Sequence, residues 1–216
     1  MHLLLAILPP LVIAFYIYQK DKYDREPKRL IIKSFLFGCI SVIPAIILEN
    51  IYNQSLFSNL FLYVFLGIAL VEEGVKYFFL RKYMYNKEEF NEPMDGIVYA
   101  VMISLGFATV ENIGYVLNHP GQEMNIAIMR MFTAIPLHAV CGVILGYYVG
   151  LAKFSENSRP LLYKGVFLAT LVHALYNYFI FLGYGFIFSI IALVVAIYYS
   201  KKAINAHQED SKIRNL

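Results

Sequence analysis

Seven long stretches of the chain are almost entirely apolar, and short polar connectors separate them. Most have roughly 16 to 25 residues, the length that a helix rising 1.5 Å per residue needs to cross about 30 Å of hydrocarbon. The stretches are Leu3–Tyr18, Leu30–Leu48, Phe57–Leu80, Ile97–Leu117, Ile126–Ala152, Gly165–Leu182 and Phe186–Tyr199. The pattern predicts an all-α, polytopic transmembrane helical bundle of about seven spans.

The basic residues lie in alternate connectors. Nearly all Lys and Arg are found in Gln19–Arg29, Arg81–Pro93, Lys153–Lys164 and the tail from Lys201. The positive-inside rule therefore predicts an N-terminus outside the cell and a cytoplasmic C-terminus. Residues 1–216 are expected to form one membrane-embedded domain, with 201–216 as a short cytoplasmic tail.

Composition supports a membrane protein and excludes several other classes. The chain is 59% hydrophobic and only 15% charged, which is unusual for a soluble domain. Its net charge of +3 is explained by topology, so nucleic-acid binding is not expected and membrane lipid is the predicted surrounding. The two cysteines, Cys39 and Cys141, lie in apolar stretches and indicate neither a disulfide framework nor a thiolate zinc site.

A small set of polar side chains interrupts the predicted spans. An ionisable group inside a membrane is costly unless it faces a polar interior and finds partners, so each such group needs an explanation. The residues are Glu72, Glu73, Lys76, Glu111, His138 and His173, with Asn177 one turn beyond the last histidine. They form either a functional site or, taken one by one, ion pairs and hydrogen-bonded core residues that fix helix packing.

The EEGVK segment predicts unequal roles for its two glutamates. Lys76 is four residues after Glu72 and three after Glu73, so it can pair with either carboxylate. Adjacent helical residues point about 100° apart. We expect Glu72 to pair with Lys76 and Glu73 to face the bundle interior, although the spacing also permits the reverse.

The remaining polar residues suggest hydrolytic chemistry. His173 and Asn177 share one helical face, and His138 begins a stripe of glycines that favours close helix packing. A carboxylate that activates water, imidazoles that hold or protonate reacting groups and an amide that stabilises an oxyanion can together hydrolyse an amide bond. We predict Glu73 as the general base.

Zinc is an alternative means of activating water at this site. Glu73, Glu111, His138 and His173 are the candidate ligands, since His and Glu are ordinary zinc ligands. No cofactor is established by the sequence, and the absence of an HExxH spacing makes the metal hypothesis the weaker one.

Four ordered motifs resemble those of the PrsW family of bacterial membrane proteases. They are EEGVK, MDGIVYAVMISLGFATVENIGY, PLHAVCGVILGYYVG and HALYN, and the early loop DKYDREP is also similar. This family is related to the type II CAAX-prenyl endopeptidases and bacteriocin-processing proteins. The resemblance implies that Glu72, Glu73 and His173 occupy catalytic motif positions, with Glu111 and His138 as further members. Some relatives carry Asp at the position of Asn177, which departs from the pattern here.

The resemblance implies a multi-pass protease of the bacterial cell membrane. PrsW proteins are implicated in site-1 cleavage of a single-span anti-sigma factor, which frees a sigma factor under envelope stress. Two alternatives come from other functional classes. Intramembrane Glu and His chains also serve proton-coupled transporters, and a non-catalytic sensor or scaffold for the anti-sigma factor would need its polar groups only for helix association.

Overall fold

The structure is a computed structural model that describes residues 1–183 and 186–214. All regular secondary structure within these residues is helical and no strand is present, which confirms the predicted helical bundle. The α-helices are α1 His2–Lys20, α2 Lys28–Ile51, α3 Leu60–Leu62, α4 Leu70–Phe79, α5 Pro93–Leu117, α6 Glu123–Phe132, α7 Ala134–Lys153, α8 Ser158–Phe181 and α9 Phe186–Arg214. A short 3₁₀ turn covers Gln54–Leu56.

Helix α5 forms the centre of the bundle. It packs against α1, α2 and α7, and its side chains are buried without interruption from Pro93 to Thr109. Glycines allow this close approach, because a Cβ on Gly146 would lie 2.3 Å from the carbonyl oxygen of Gly96. Over this range α5 is buried on every side by its neighbours, which fix its position in the bundle.

The predicted third span is a helix of mixed geometry. Between α3 and α4 the backbone is π-helical over Tyr63–Ala69, and it is π-helical again over Leu80–Met84. Each π-helical turn contains more residues than an α-helical turn, so it changes the direction in which later side chains point. Glu72 and Glu73 are the third and fourth residues after the first π-helical stretch.

Among the residues that the structure describes, five helical segments are long and apolar enough to cross a membrane. They are His2–Lys20, Lys28–Ile51, Pro93–Leu117, Glu123–Lys153 and Ser158–Phe181. Each overlaps one of the predicted spans. The other two predicted stretches correspond to the mixed helix of 60–84 and to helix α9. The number of spans and the side of the membrane on which each terminus lies stay predictions.

The basic connectors meet at one end of the bundle. Lys153 Nζ donates to the carbonyl oxygen of Tyr85 at 2.5 Å, and Arg29 pairs with Glu89. Residues 201–214, expected as a tail, continue helix α9, and the buried His207 contacts the backbone of Tyr147. The last two residues lie outside the described part.

Candidate functional site

The polar residues singled out in the sequence converge from four helices. Glu72, Glu73 and Lys76 are on α4, and Glu111 is near the end of α5. His138 is one turn into α7, while His173 and Asn177 are in the second half of α8. The rings of His138 and His173 lie edge to face with centroids 5.2 Å apart.

Lys76 connects these groups. Its Nζ donates to Glu73 Oε1 at 2.8 Å and to Glu72 Oε2 at 3.2 Å, and it lies 3.0 Å from His138 Nδ1. The ammonium also lies over the Phe107 ring, 4.1 Å from its centroid. An ammonium group can only donate, so His138 Nδ1 accepts and the ring proton lies on Nε2. That Nε2 is 2.9 Å from Glu111 Oε2, so His138 donates to Glu111.

Glu73 holds His173. The carboxylate Oε1 of Glu73 is 2.9 Å from His173 Nδ1, which therefore carries the proton and donates it. His173 Nε2 is then the nitrogen with a free lone pair, and it lies 4.0 Å from Glu72 Oε1. A carboxylate that fixes the tautomer of a histidine in this way is the usual partner of a histidine that binds a metal or moves a proton.

The two glutamates have different surroundings, as predicted, but both pair with Lys76. The expected Glu72–Lys76 pair is present, and Lys76 also forms a shorter contact with Glu73. Glu73 is completely buried, and Glu72 lines the cavity described below. Both carboxylates are buried, and Glu72 is the one that lines the cavity.

Arg130 completes the surroundings of Glu111. Its Nη2 donates to Glu111 Oε2 at 2.7 Å, its Nε donates to Asn112 Oδ1, and its guanidinium lies 3.8 Å from the Tyr115 ring centroid. Arg130 is on α6, and the helix break at Thr133 turns α6 toward the site. Arg130 was not among the residues predicted from the sequence, although a lone arginine inside an apolar stretch was a usable signal.

One cavity of about 490 Å³ unites the site. Its polar lining residues are Glu49, Glu72, Glu111, His119, Arg130, Thr133, His138, His173 and Asn177. Glu49, at the end of α2, was also missed, because it lies one residue beyond the predicted apolar stretch. Tyr63, His119 and Phe181 line the cavity too, so it reaches the end of the bundle opposite the basic connectors.

Four side chains of the site are of the types that bind zinc, and His138 would bind the ion by giving up its contact with Lys76 or with Glu111. Glu72, Glu73, His138 and His173 each offer an atom, and these atoms lie within 4.8 Å of one another. Glu72 thus takes the place expected for Glu111, which is held by His138 and Arg130. Glu73 Oε2 is buried without a hydrogen-bond partner, and this supports the fit. The carboxylates of Glu72, Glu73 and Glu111 also outnumber the two cations that pair with them.

Comparison with known proteins agrees with this geometry. A family model described as PrsW family intramembrane metalloprotease matches residues 26–200. Protease PrsW of Oceanobacillus iheyensis is 36% identical over 205 residues, covering 92% of this chain and 94% of the relative. Protease PrsW of Clostridioides difficile is 35% identical over 200 residues, covering 89% and 83%. Protease PrsW of Bacillus subtilis is 34% identical over 176 residues, covering 80% and 79%.

This chain belongs to the PrsW family. It is a peptidase of the intramembrane type and a multi-pass membrane protein of bacteria, and the resemblance found in the four motifs is confirmed. No solved structure matches the chain. In this PrsW protein, the cavity with its buried Glu and His side chains is the candidate site of peptide hydrolysis.

Proposed function

We propose that the chain is a membrane-embedded endopeptidase that makes the site-1 cut in a single-span anti-sigma factor. The observation that carries the proposal is a single cavity lined by Glu72, Glu111, His138, His173 and Asn177. The cavity reaches the end opposite the basic connectors. If those connectors are cytoplasmic, the cavity opens on the outer side of the membrane. The substrate then enters from the side on which a site-1 cut is made.

Glu72 is the best candidate for the general base. Both carboxylates pair with Lys76, but Glu72 lines the cavity, whereas Glu73 is fully buried and is also bound to His173. This assignment replaces the prediction made from the sequence for Glu73. A carboxylate that faces the cavity can take a proton from water, and Lys76 keeps a compensating positive charge beside it.

His173 and Asn177 act on the substrate from α8. His173 Nε2 lies 4.0 Å from Glu72 Oε1, so it can receive the proton that Glu72 takes from water and pass it to the departing amine. Asn177, which lines the same cavity, supplies an amide donor for the oxyanion. His138 donates to Glu111, so these two residues position each other and the Lys76 ammonium.

The family description adds a metal to this site. Glu72, Glu73, His138 and His173 would hold the ion, and Glu72 would then be a ligand of the ion instead of the base. A bound zinc would lower the pKa of its water and polarise the scissile carbonyl. Glu73 then keeps His173 in the tautomer that leaves Nε2 available, and Arg130 keeps Glu111 in place.

Cleavage by purified protein tests the proposal. The chain in nanodiscs is mixed with a single-span anti-sigma factor, and products are mapped by mass spectrometry with and without a chelator. We expect one cut on the extracytoplasmic side, lost in Glu72→Gln and retained in Glu88→Gln, whose side chain is exposed in a connector. Intact substrate together with proton flux in liposomes would instead support the transporter, and substrate binding without cleavage would support the scaffold.

A further inference from the structure

A second group of buried carboxyl groups lies at the basic end of the bundle. Asp21 and Glu26 belong to the connector between α1 and α2, and Glu92 and Asp95 form the start of α5. None of the four is more than 2% exposed. Asp21, Glu92 and Asp95 each offer an oxygen, and these oxygens lie within 4.8 Å of one another.

The hydrogen bonds of this cluster leave oxygens without donors. Asp21 Oδ2 accepts from the backbone N–H of Glu26 at 3.1 Å. Asp95 Oδ2 accepts from the backbone N–H of Glu92 at 2.8 Å, and the two residues form a capping box for α5. The other oxygens, Asp21 Oδ1 and Asp95 Oδ1, are buried and accept no hydrogen bond. A buried acceptor of this kind normally has a partner.

Three of these acids also lack a cationic partner. In the described part of the chain, no Lys or Arg forms an ion pair with Asp21, Glu26 or Asp95. Oxygens of Asp21, Glu92 and Asp95 lie within 4.8 Å of one another and away from water, so negative charges on these groups repel one another. A positive charge from outside the chain would relieve this repulsion.

We propose that Asp21, Glu92 and Asp95 bind a hard divalent cation of the Mg²⁺ or Ca²⁺ type. The donor set is oxygen only, which suits these ions and not the softer zinc. Ligand distances of 2.0–2.6 Å place opposite oxygens about 4 to 5 Å apart, so the observed spacing can enclose one ion.

The ion would join the first connector to the start of α5. Asp95 and Glu111 are on the same helix, separated by roughly 24 Å at 1.5 Å per residue. Because α5 is buried along most of its length, an ion that fixes its first turn also stabilises the support of the catalytic cavity. The ion has no part in hydrolysis and is separate from the metal implied by the family.

Binding of Mn²⁺ to the full-length protein in nanodiscs tests the proposal, with electron paramagnetic resonance measuring free and bound ion. We expect one site that survives in His173→Ala, which disables the cavity cluster. Affinity should fall at least about tenfold in Asp21→Asn and in Asp95→Asn, because each loses a charged ligand. Asparagine keeps an oxygen that can accept the backbone hydrogen bonds, and Glu88→Gln is the matched control for loss of one charge.

Thermal unfolding of the unaltered chain gives an independent measurement. Mg²⁺ or Ca²⁺ should raise the melting temperature above that in a chelator, and K⁺ at equal ionic strength should not. The proposal is overturned if Mn²⁺ does not bind at millimolar concentration, if Asp21→Asn binds it as tightly as the unaltered protein, or if melting is insensitive to divalent ions.

Discussion

Glu73 and Asp95 are both fully buried carboxyl groups in the first turn of a helix, yet they have opposite surroundings. Glu73 pairs with Lys76, accepts from His173 and lies beside an open cavity. Asp95 accepts from backbone N–H groups, has other acids around it and lies next to Gly96, where α7 packs directly against α5. Glu73 therefore has a cation and an imidazole as partners, whereas no Lys or Arg of the described residues forms an ion pair with Asp95.

The largest effect should come from Glu72→Gln. Glutamine keeps the size of the side chain but cannot accept a proton, so we expect single-turnover cleavage to fall about 10³-fold. Circular dichroism and thermal unfolding should show a folded protein. Undiminished cleavage would remove Glu72 from the role of base and return Glu73 to it.

Glu73→Gln should have a smaller effect, because Glu73 acts through its partners. Glutamine keeps an oxygen that can accept from His173, but it loses the negative charge that strengthens this hydrogen bond and that pairs with Lys76. We expect zinc affinity and turnover to fall together, by about 10 to 100-fold. Glu73→Asp should recover part of both. A turnover loss with unchanged zinc affinity would contradict a role in holding His173.

Two glycine substitutions compare a position of close helix packing with an open position. A Cβ at Gly146 would lie 2.3 Å from the Gly96 carbonyl oxygen, so Gly146→Ala should destabilise the protein by about 1–3 kcal/mol. A Cβ at Gly74 would have no neighbouring atom within 4 Å, so Gly74→Ala should be neutral or stabilise by up to about 1 kcal/mol. Equal melting temperatures for the two variants would show that the α5–α7 contact can relax.

Arg130→Gln should reduce cleavage about tenfold. The change leaves Glu111 with His138 as its hydrogen-bond donor and removes the cation above Tyr115. Arg130→Lys should restore only part of the activity, because an ammonium cannot reproduce the forked contact with Glu111 and Asn112. Full recovery with lysine would show that only the charge matters.

Much of the architecture could be predicted because a transmembrane helix needs a long run of apolar residues, and such runs are visible in the sequence. The polar residues inside those stretches also pointed correctly to one region, since burial of Glu111 or His138 is costly without partners. Glu49 and Arg130 were missed for a different reason. Each lies near the end of an apolar stretch, where a charge can also face water, and only the folded chain shows both of them lining the cavity.

Hydropathy and motif order were enough to establish a helical membrane protease of the PrsW family, because both are properties of residues adjacent in the chain. The orientation of Glu72 toward the cavity, the contact of Lys76 with both glutamates and the meeting of Asp21 with Asp95 depended on tertiary structure. A π-helical stretch changes where side chains point, and contacts between helices depend on how their axes pack, neither of which residue spacing encodes.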